Sequence, residues 1–142
     1  MNTNAGALEE LDRVECLQLL ASFSVGRIAV ATPHASPFVV PVNYVLDGEA
    51  VVFRSDPGAK IKGIDRHAVS FQIDYIDSFH RTGWSVLVRG TAIVAEPHEI
   101  AHLAIESWVA GTKHEWIRIV PHSITGRRLT AADIPRDERG YL

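Results

Sequence analysis

The segment from Pro37 to Lys60 constrains the fold of this chain more than any other stretch. It holds two apolar runs, PFVVPVNYVL and AVVF, on either side of a short polar interruption that begins with Asp47-Gly48. Asp-Gly strongly favours a two-residue turn, because both central positions of such a turn prefer positive φ. We therefore predict an antiparallel hairpin whose strands run over Phe38–Leu46 and Ala50–Arg54.

Pro41 lies inside the first of these predicted strands. Because proline has no backbone N–H, it cannot donate to a β-ladder and is rare in central strands. We therefore expect Pro41 to mark a strand edge, a bulge or a place where a ligand meets the backbone.

The rest of the chain also reads mainly as strands. Apolar runs predict strands at Val25–Ala31, Ala68–Tyr75, Gly83–Ala95, Glu115–Val120 and Ser123–Leu129. Helices are predicted at Arg13–Ser22, at Lys60–Arg66 and from Glu96 to about Val109. This pattern predicts a mainly β protein, a closed or nearly closed antiparallel barrel of six to seven strands with two or three helices.

The chain has 142 residues, a formal net charge of −3 and one cysteine. This length predicts a single domain over residues 1–142, in which residues 1–10 and 130–142 are flexible or reach a partner subunit. The negative charge argues against nucleic-acid binding. The lone Cys16, the polar start of the chain and the lack of a long apolar run together predict a cytoplasmic protein without a membrane partner.

The segment His98–His102 matches the H-E-x-x-H pattern of zinc proteases, in which two histidines share one helix face. We interpret this match as a coincidence and predict no metal site. The inward face of the predicted helix is set by Ile100 and Leu103, so both histidines are expected to point toward solvent.

A polar turn follows the predicted hairpin and carries Arg54, Ser55, Gly58 and Lys60. Two cations and a hydroxyl can neutralise and orient a phosphate, and glycine lets the backbone come close to it. The alternative interpretation is a surface turn whose charges are simply solvated. Spacing alone leaves both interpretations open.

The longest predicted strand places Trp84 on one face and Ser85 on the other. Both residues are candidates to meet the cationic turn in space, although Trp84 is equally well explained as core or interface. His80 and Arg81 precede this strand in a predicted loop, near where a ligand would enter.

Together these features resemble the pyridoxamine 5′-phosphate oxidase-like family of flavin-binding split barrels, and most closely its flavin-nucleotide-binding or nitroimidazole-resistance-like branch. The similarity covers about residues 15–129, and its most specific pieces are PVNY, FRSDPGAK and TGWSV. The resemblance implies a homodimer that holds FMN in each of two grooves between the subunits.

The resemblance also implies which residues bind the cofactor. The family's phosphate-binding turn corresponds here to Arg54, Ser55 and Lys60. The strand that lies against the isoalloxazine ring corresponds to Pro41, Val42 and Asn43. The strand that reaches the flavin from the other side corresponds to Trp84 and Ser85.

The implied function is that of an FMN-dependent oxidoreductase with a small-molecule substrate, which His80 and Arg81 are candidates to contact. Pyridoxamine phosphate is not the expected substrate, because Arg127 and Arg128 do not match the C-terminal arginine and histidine that hold its phosphate in the true oxidases. Two alternatives stay open: a reductase that uses a deazaflavin cofactor in the same groove, and a non-catalytic flavin or haem binding protein.

Overall fold

The structure is a computed structural model and describes residues 6–33, 35–55, 63–103 and 115–131. Within this part the chain forms seven strands and two helices. In chain order they are β1 (Ala7–Leu11), α1 (Arg13–Ser22), β2 (Val25–Thr32), β3 (Ala35–Asp47), β4 (Ala50–Ser55), β5 (Ala68–Asp77), β6 (Thr82–Ala95), α2 (Pro97–Ile100) and β7 (Glu115–Thr130).

Six of the strands form a closed antiparallel ring. The order of neighbours is β3, β2, β5, β6, β7 and β4, and the β3–β4 hairpin closes the ring. β1 pairs outside this ring with the last residues of β7. The predicted mainly β barrel is therefore confirmed.

The barrel interior is built from the inward residues of alternating strands. Tyr44, Phe53 and Phe71 are among its largest fully buried side chains. The Tyr44 ring meets Phe71 edge-on, with centroids 4.8 Å apart, and its hydroxyl donates a 2.6 Å hydrogen bond to the Leu20 carbonyl oxygen. Burial raises the pKa of the Tyr44 hydroxyl, so this group remains a donor.

Helix α1 packs one side against β7, β3 and β6. Its N-cap is Asp12, whose carboxylate accepts a 2.8 Å hydrogen bond from the Glu15 backbone N–H. Cys16 and Leu20 are completely buried, and burial raises the pKa of the Cys16 thiol. Cys16 thus behaves as a small core residue, since only a thiolate is a strong nucleophile.

The predicted hairpin forms, but its turn lies one residue later than expected. Asp47 pairs with Ala50, so Gly48 and Glu49 occupy the turn, and only Gly48 has positive φ, at 62°. The Asp47 side chain instead accepts a 2.7 Å hydrogen bond from Arg118 on β7. That contact ties the hairpin to the barrel.

Four other elements differ from prediction. Residues 7–10, expected in a flexible leader, belong to β1. The two strands predicted around Pro121 are one strand, because a register shift opposite Gly90 accommodates the proline. Residues 63–66, the described end of the predicted Lys60–Arg66 helix, form turns. Helix α2 has only four residues, and the part of the predicted helix after residue 103 lies outside the described residues.

Candidate functional site

Strand alternation divides the predicted site residues between the two faces of the barrel wall. Tyr44 and Phe53 are cross-strand partners and both are buried inside. Their neighbours Asn43 and Arg54 therefore leave the wall on the opposite side, which we call the outer face. Pro41 shares this face, whereas the Val42 side chain packs against the interior core.

Pro41 also lies at a strand edge, as predicted. One side of β3 pairs with β2 through Arg27 and Pro41, but its pairing with β4 begins only at Tyr44. Among the described strands none pairs with the second edge of residues 35–42. Backbone groups along this edge are accessible to a ligand or to another chain.

Arg54 is the most informative residue of the outer face. Its guanidinium carbon lies 5.5 Å from the ring centroid of Trp116, within the range of a cation–π contact. Its Nε is buried and has no hydrogen-bond partner among the described residues. A buried donor without an acceptor is uncommon in proteins, so it points to a missing partner.

Ser55 ends β4 and is the buried polar residue of the described core, only 6% exposed. Alternation turns its side chain to the face of Phe53, opposite to Arg54. The guanidinium of Arg54 therefore lies on the opposite face of β4 from the hydroxyl of Ser55. Its cross-strand neighbour Glu115 is exposed, and Gly58 and Lys60 lie outside the described residues.

Trp84 and Ser85 do not meet the cationic turn within one chain. Trp84 points inward and packs on Phe23, with ring centroids 5.1 Å apart. Ser85 is on the outer face, but β5 and β2 lie between its strand and β3. At about 4.8 Å per strand, the path along the barrel wall from Ser85 to the row of Asn43 is roughly 14 Å in either direction.

His80 and Arg81, the predicted substrate contacts, have different surroundings. His80 is held by Asp77, whose carboxylate lies 2.6 Å from His80 Nδ1 and accepts a 3.0 Å bond from the His80 backbone N–H. These contacts, the backbone bond first, lower the pKa of Asp77. Arg81 has a left-handed φ of 57° and lines a cavity together with Trp84 and Ser85.

The zinc-like histidines are both exposed on the surface. His102 Nε2 lies 3.2 Å from Asp47 Oδ1, so it is part of the hairpin contact described above. Across the described ranges, no cluster of three His, Cys, Asp or Glu side chains could hold a metal ion. None of the described helices is long and apolar enough to cross a membrane.

Two relevant residues were not predicted from the sequence. The Trp116 ring contacts the Arg54 guanidinium although 62 positions separate the two residues in the sequence. Only the β4–β7 pairing brings them together. Arg127 is the cross-strand partner of Ser85 and lines the same cavity as Arg81. From the sequence, Arg127 was considered only as a poor match to the residues that hold the substrate phosphate in the true oxidases.

Similar proteins of known structure share this architecture. The FAD binding protein from Mycobacterium smegmatis is 32% identical, with a TM-score of 0.76 over 86% of this chain and 98% of that one. A FAD-binding protein from Mesorhizobium loti is 27% identical, with a TM-score of 0.74 over 88% and 98%. A 5-nitroimidazole antibiotic resistance protein from Bacteroides thetaiotaomicron, 15% identical with a TM-score of 0.64, shares the fold.

Sequence comparison points to the same group. An uncharacterized protein of Mycobacterium tuberculosis is 34% identical over 137 residues, which is 90% of each chain. The family model of pyridoxamine 5′-phosphate oxidase matches residues 12–128, almost the whole barrel. This chain therefore belongs to the pyridoxamine 5′-phosphate oxidase-like family of split-barrel proteins.

Proposed function

We propose that this protein is a cytoplasmic, homodimeric flavoprotein that binds FMN, with Arg54 as a partner of the cofactor phosphate. The observation that carries the proposal is the buried Arg54 Nε, which lacks an acceptor among the described residues. Leaving such a donor unsatisfied costs about 1–3 kcal/mol, and a phosphate oxygen would remove that cost. The FAD-binding relatives support a flavin as the ligand that supplies the phosphate.

Neighbouring residues fit the rest of a flavin nucleotide. Trp116 fixes the plane of the Arg54 guanidinium, which favours a two-pronged contact with phosphate. Lys60 would add a second cation, whereas the Ser55 hydroxyl lies on the opposite face of β4 from Arg54. Along the accessible edge of β3, the backbone of Pro41 and Val42 and the Asn43 amide would face the polar rim of the ring.

A second copy of the chain would complete the site. Ser85 lies too far from Asn43 to contact the same ring within one chain, so its assigned role requires the partner subunit. The outer face also exposes apolar side chains that an interface would cover. They are Val25, Val39 and Leu87, exposed by 38%, 60% and 37%.

The reaction would be an oxidation or reduction of a small molecule. A bound flavin supplies the hydride-accepting and hydride-donating chemistry. The residues of this chain would hold the phosphate, orient the ring and exclude water, and none of them has to act as a general acid or base. Activity on pyridoxamine phosphate is not part of the proposal.

FAD is the second candidate cofactor, because two relatives of this chain are FAD-binding proteins. Mass spectrometry of the cofactor released from purified protein separates the two candidates. Release of FMN would support the proposal, whereas release of FAD would show that the site binds the dinucleotide form of the flavin. A haem would show a Soret band in the absorbance spectrum, and a deazaflavin would have its own mass.

The phosphate assignment is tested by titrating FMN into the wild type, Arg54→Gln and the control Arg13→Gln. Arg13 is a surface arginine paired with Glu49 at 2.6 Å, away from the proposed site. A charge-assisted hydrogen bond is worth about 1.5–3 kcal/mol, so Arg54→Gln should raise the Kd about 10- to 100-fold. Equal Kd values for Arg54→Gln and wild type would refute the assignment.

A further inference from the structure

A second site candidate lies at the end of the β5–β6 hairpin, near the opposite end of β7 from Trp116, the cross-strand partner of Arg54. It is a cavity of about 340 Å3, within the size range of small-ligand pockets. Its apolar walls come from three strands, with Leu8 on β1, Ile76 on β5 and Leu129 on β7. Arg81 and Arg127 also line it, and Ser85 adds a hydroxyl.

The apolar walls are exposed to an unusual degree for large aliphatic side chains. Leu8 is 61% exposed, Ile76 is 64% and Leu129 is 39%. Gly83 lies in register between Ile76 and Leu129, and a Cβ there would come within 3.0 Å of Ile76 Cδ1. The nearest atom to such a Cβ would be the Tyr75 carbonyl oxygen at 2.6 Å, so glycine is needed here for the close approach of the β5 backbone and the Ile76 side chain.

The two arginines of the cavity have no anionic partner among the described residues. Asp77 lines the same cavity, but His80 engages both of its carboxylate oxygens. Glu10 is the cross-strand neighbour of Arg127, yet its carboxylate forms no ion pair with it. The adjacent Arg128 differs, since it points inward and contacts Glu15 at 3.4 Å.

We propose that this cavity binds a small molecule that carries an anionic group on an apolar body. Arg81 and Arg127 would bind the carboxylate or phosphate, and the Ser85 hydroxyl would donate to it. Leu8, Ile76 and Leu129 would cover the apolar body. The cavity shares Ser85 with the proposed flavin site, but the inference does not rest on flavin binding, because the two arginines and the apolar walls that carry it include neither Arg54 nor the edge of β3.

The test uses benzoate as the probe and benzamide, its neutral isostere, as the comparison. Binding to the purified full-length protein is measured by NMR chemical-shift titration of backbone amides. Benzoate should bind with shifts centred on Gly83 and Ser85, and benzamide should bind at least about tenfold more weakly because it lacks the charge. Equal binding of the two probes would overturn the proposal without any variant.

Matched variants then test the two arginines. Arg127→Gln and Arg81→Gln should each raise the benzoate Kd by about tenfold or more, since each removes a charged hydrogen bond. Arg128→Gln is the control for the first and Arg66→Gln for the second, because Arg66 also has positive φ, at 63°, but does not line the cavity. Equal losses in the controls would contradict the assignment.

The flavin proposal and this one can fail separately. Arg54→Gln should weaken FMN binding and leave benzoate binding unchanged, while Arg127→Gln should weaken benzoate binding in flavin-free protein by the factor given above. If FMN instead displaced benzoate competitively, the bound anion would be the phosphate of the flavin, and the claim of a separate ligand would be wrong. Benzoate binding that persists in FMN-saturated protein supports it.

Discussion

The interior and the outer face of the barrel differ in how completely their groups are satisfied. Inside, Tyr44 is packed against Phe71 and its hydroxyl is paired with a backbone carbonyl. On the outer face, the buried Nε of Arg54 has no acceptor among the described residues, and Val39 is largely exposed. The contrast teaches that packing within the chain satisfies the groups of the interior, whereas on the outer face it leaves a buried donor unsatisfied and apolar side chains exposed.

The largest expected effect tests the interior. Phe71→Ala removes a fully buried ring and leaves a cavity beside Tyr44, so the free energy of unfolding should fall by about 3–5 kcal/mol. Urea denaturation followed by circular dichroism measures it. The control Phe79→Ala, at a side chain that is 89% exposed, should stay within about 0.5 kcal/mol of the wild type. Similar decreases in the free energy of unfolding for both variants would contradict the view that interior packing dominates stability.

A smaller loss is expected for Tyr44→Phe. The ring stays in place, but the Leu20 carbonyl loses its buried donor, which costs about 1–3 kcal/mol. The same denaturation experiment measures the change. A variant as stable as the wild type would show that water replaces the hydroxyl.

The outer face should respond with the opposite sign. Arg54→Met removes an unsatisfied buried donor, a gain of about 1–3 kcal/mol, and a cation–π contact worth about 0.5–1 kcal/mol. We expect the flavin-free protein to become more stable by about 1 kcal/mol while FMN affinity falls. Loss of both stability and affinity would mean that Arg54 serves the fold and not a ligand.

The smallest effect concerns the hairpin. Hydrogen bonds from Arg118, and then from His102, lower the pKa of Asp47 below its ordinary value of 3.8. This contact therefore stabilises the protein above the unfolded-state pKa and is lost as the pH falls through the folded-state pKa. Asp47→Asn should reduce the difference in Tm between about pH 6 and pH 3. An unchanged difference would show that solvent screens the contact.

Local signals in the sequence predicted most of the strands. The Asp47-Gly48 pair placed the hairpin to within one residue, and alternation assigned Trp84 and Ser85 to opposite faces. Because proline lacks the N–H that a ladder needs, Pro41 indicated a strand edge, a bulge or a ligand contact, and the structure shows the edge. Such features depend on residues that are close together in the sequence, so a single sequence is enough to predict them.

Long-range features were not predictable in the same way. β1 has the sequence ALEEL, and only its pairing with β7 makes it a strand. The insertion of β5 and β2 between Ser85 and Asn43, and the contact of Trp116 with Arg54, follow from strand order. Many strand orders satisfy the same apolar pattern, so the sequence left the geometry of the site open.

The most direct test of the central claim compares FMN with riboflavin, which lacks the phosphate. Equilibrium dialysis of the wild-type protein against each ligand measures the bound flavin per chain by its absorbance. The account predicts that FMN binds with saturation and that riboflavin binds at least about tenfold more weakly, because the phosphate contact is worth about 1.5–3 kcal/mol. Retention of neither flavin, or equal affinity for both, would contradict it.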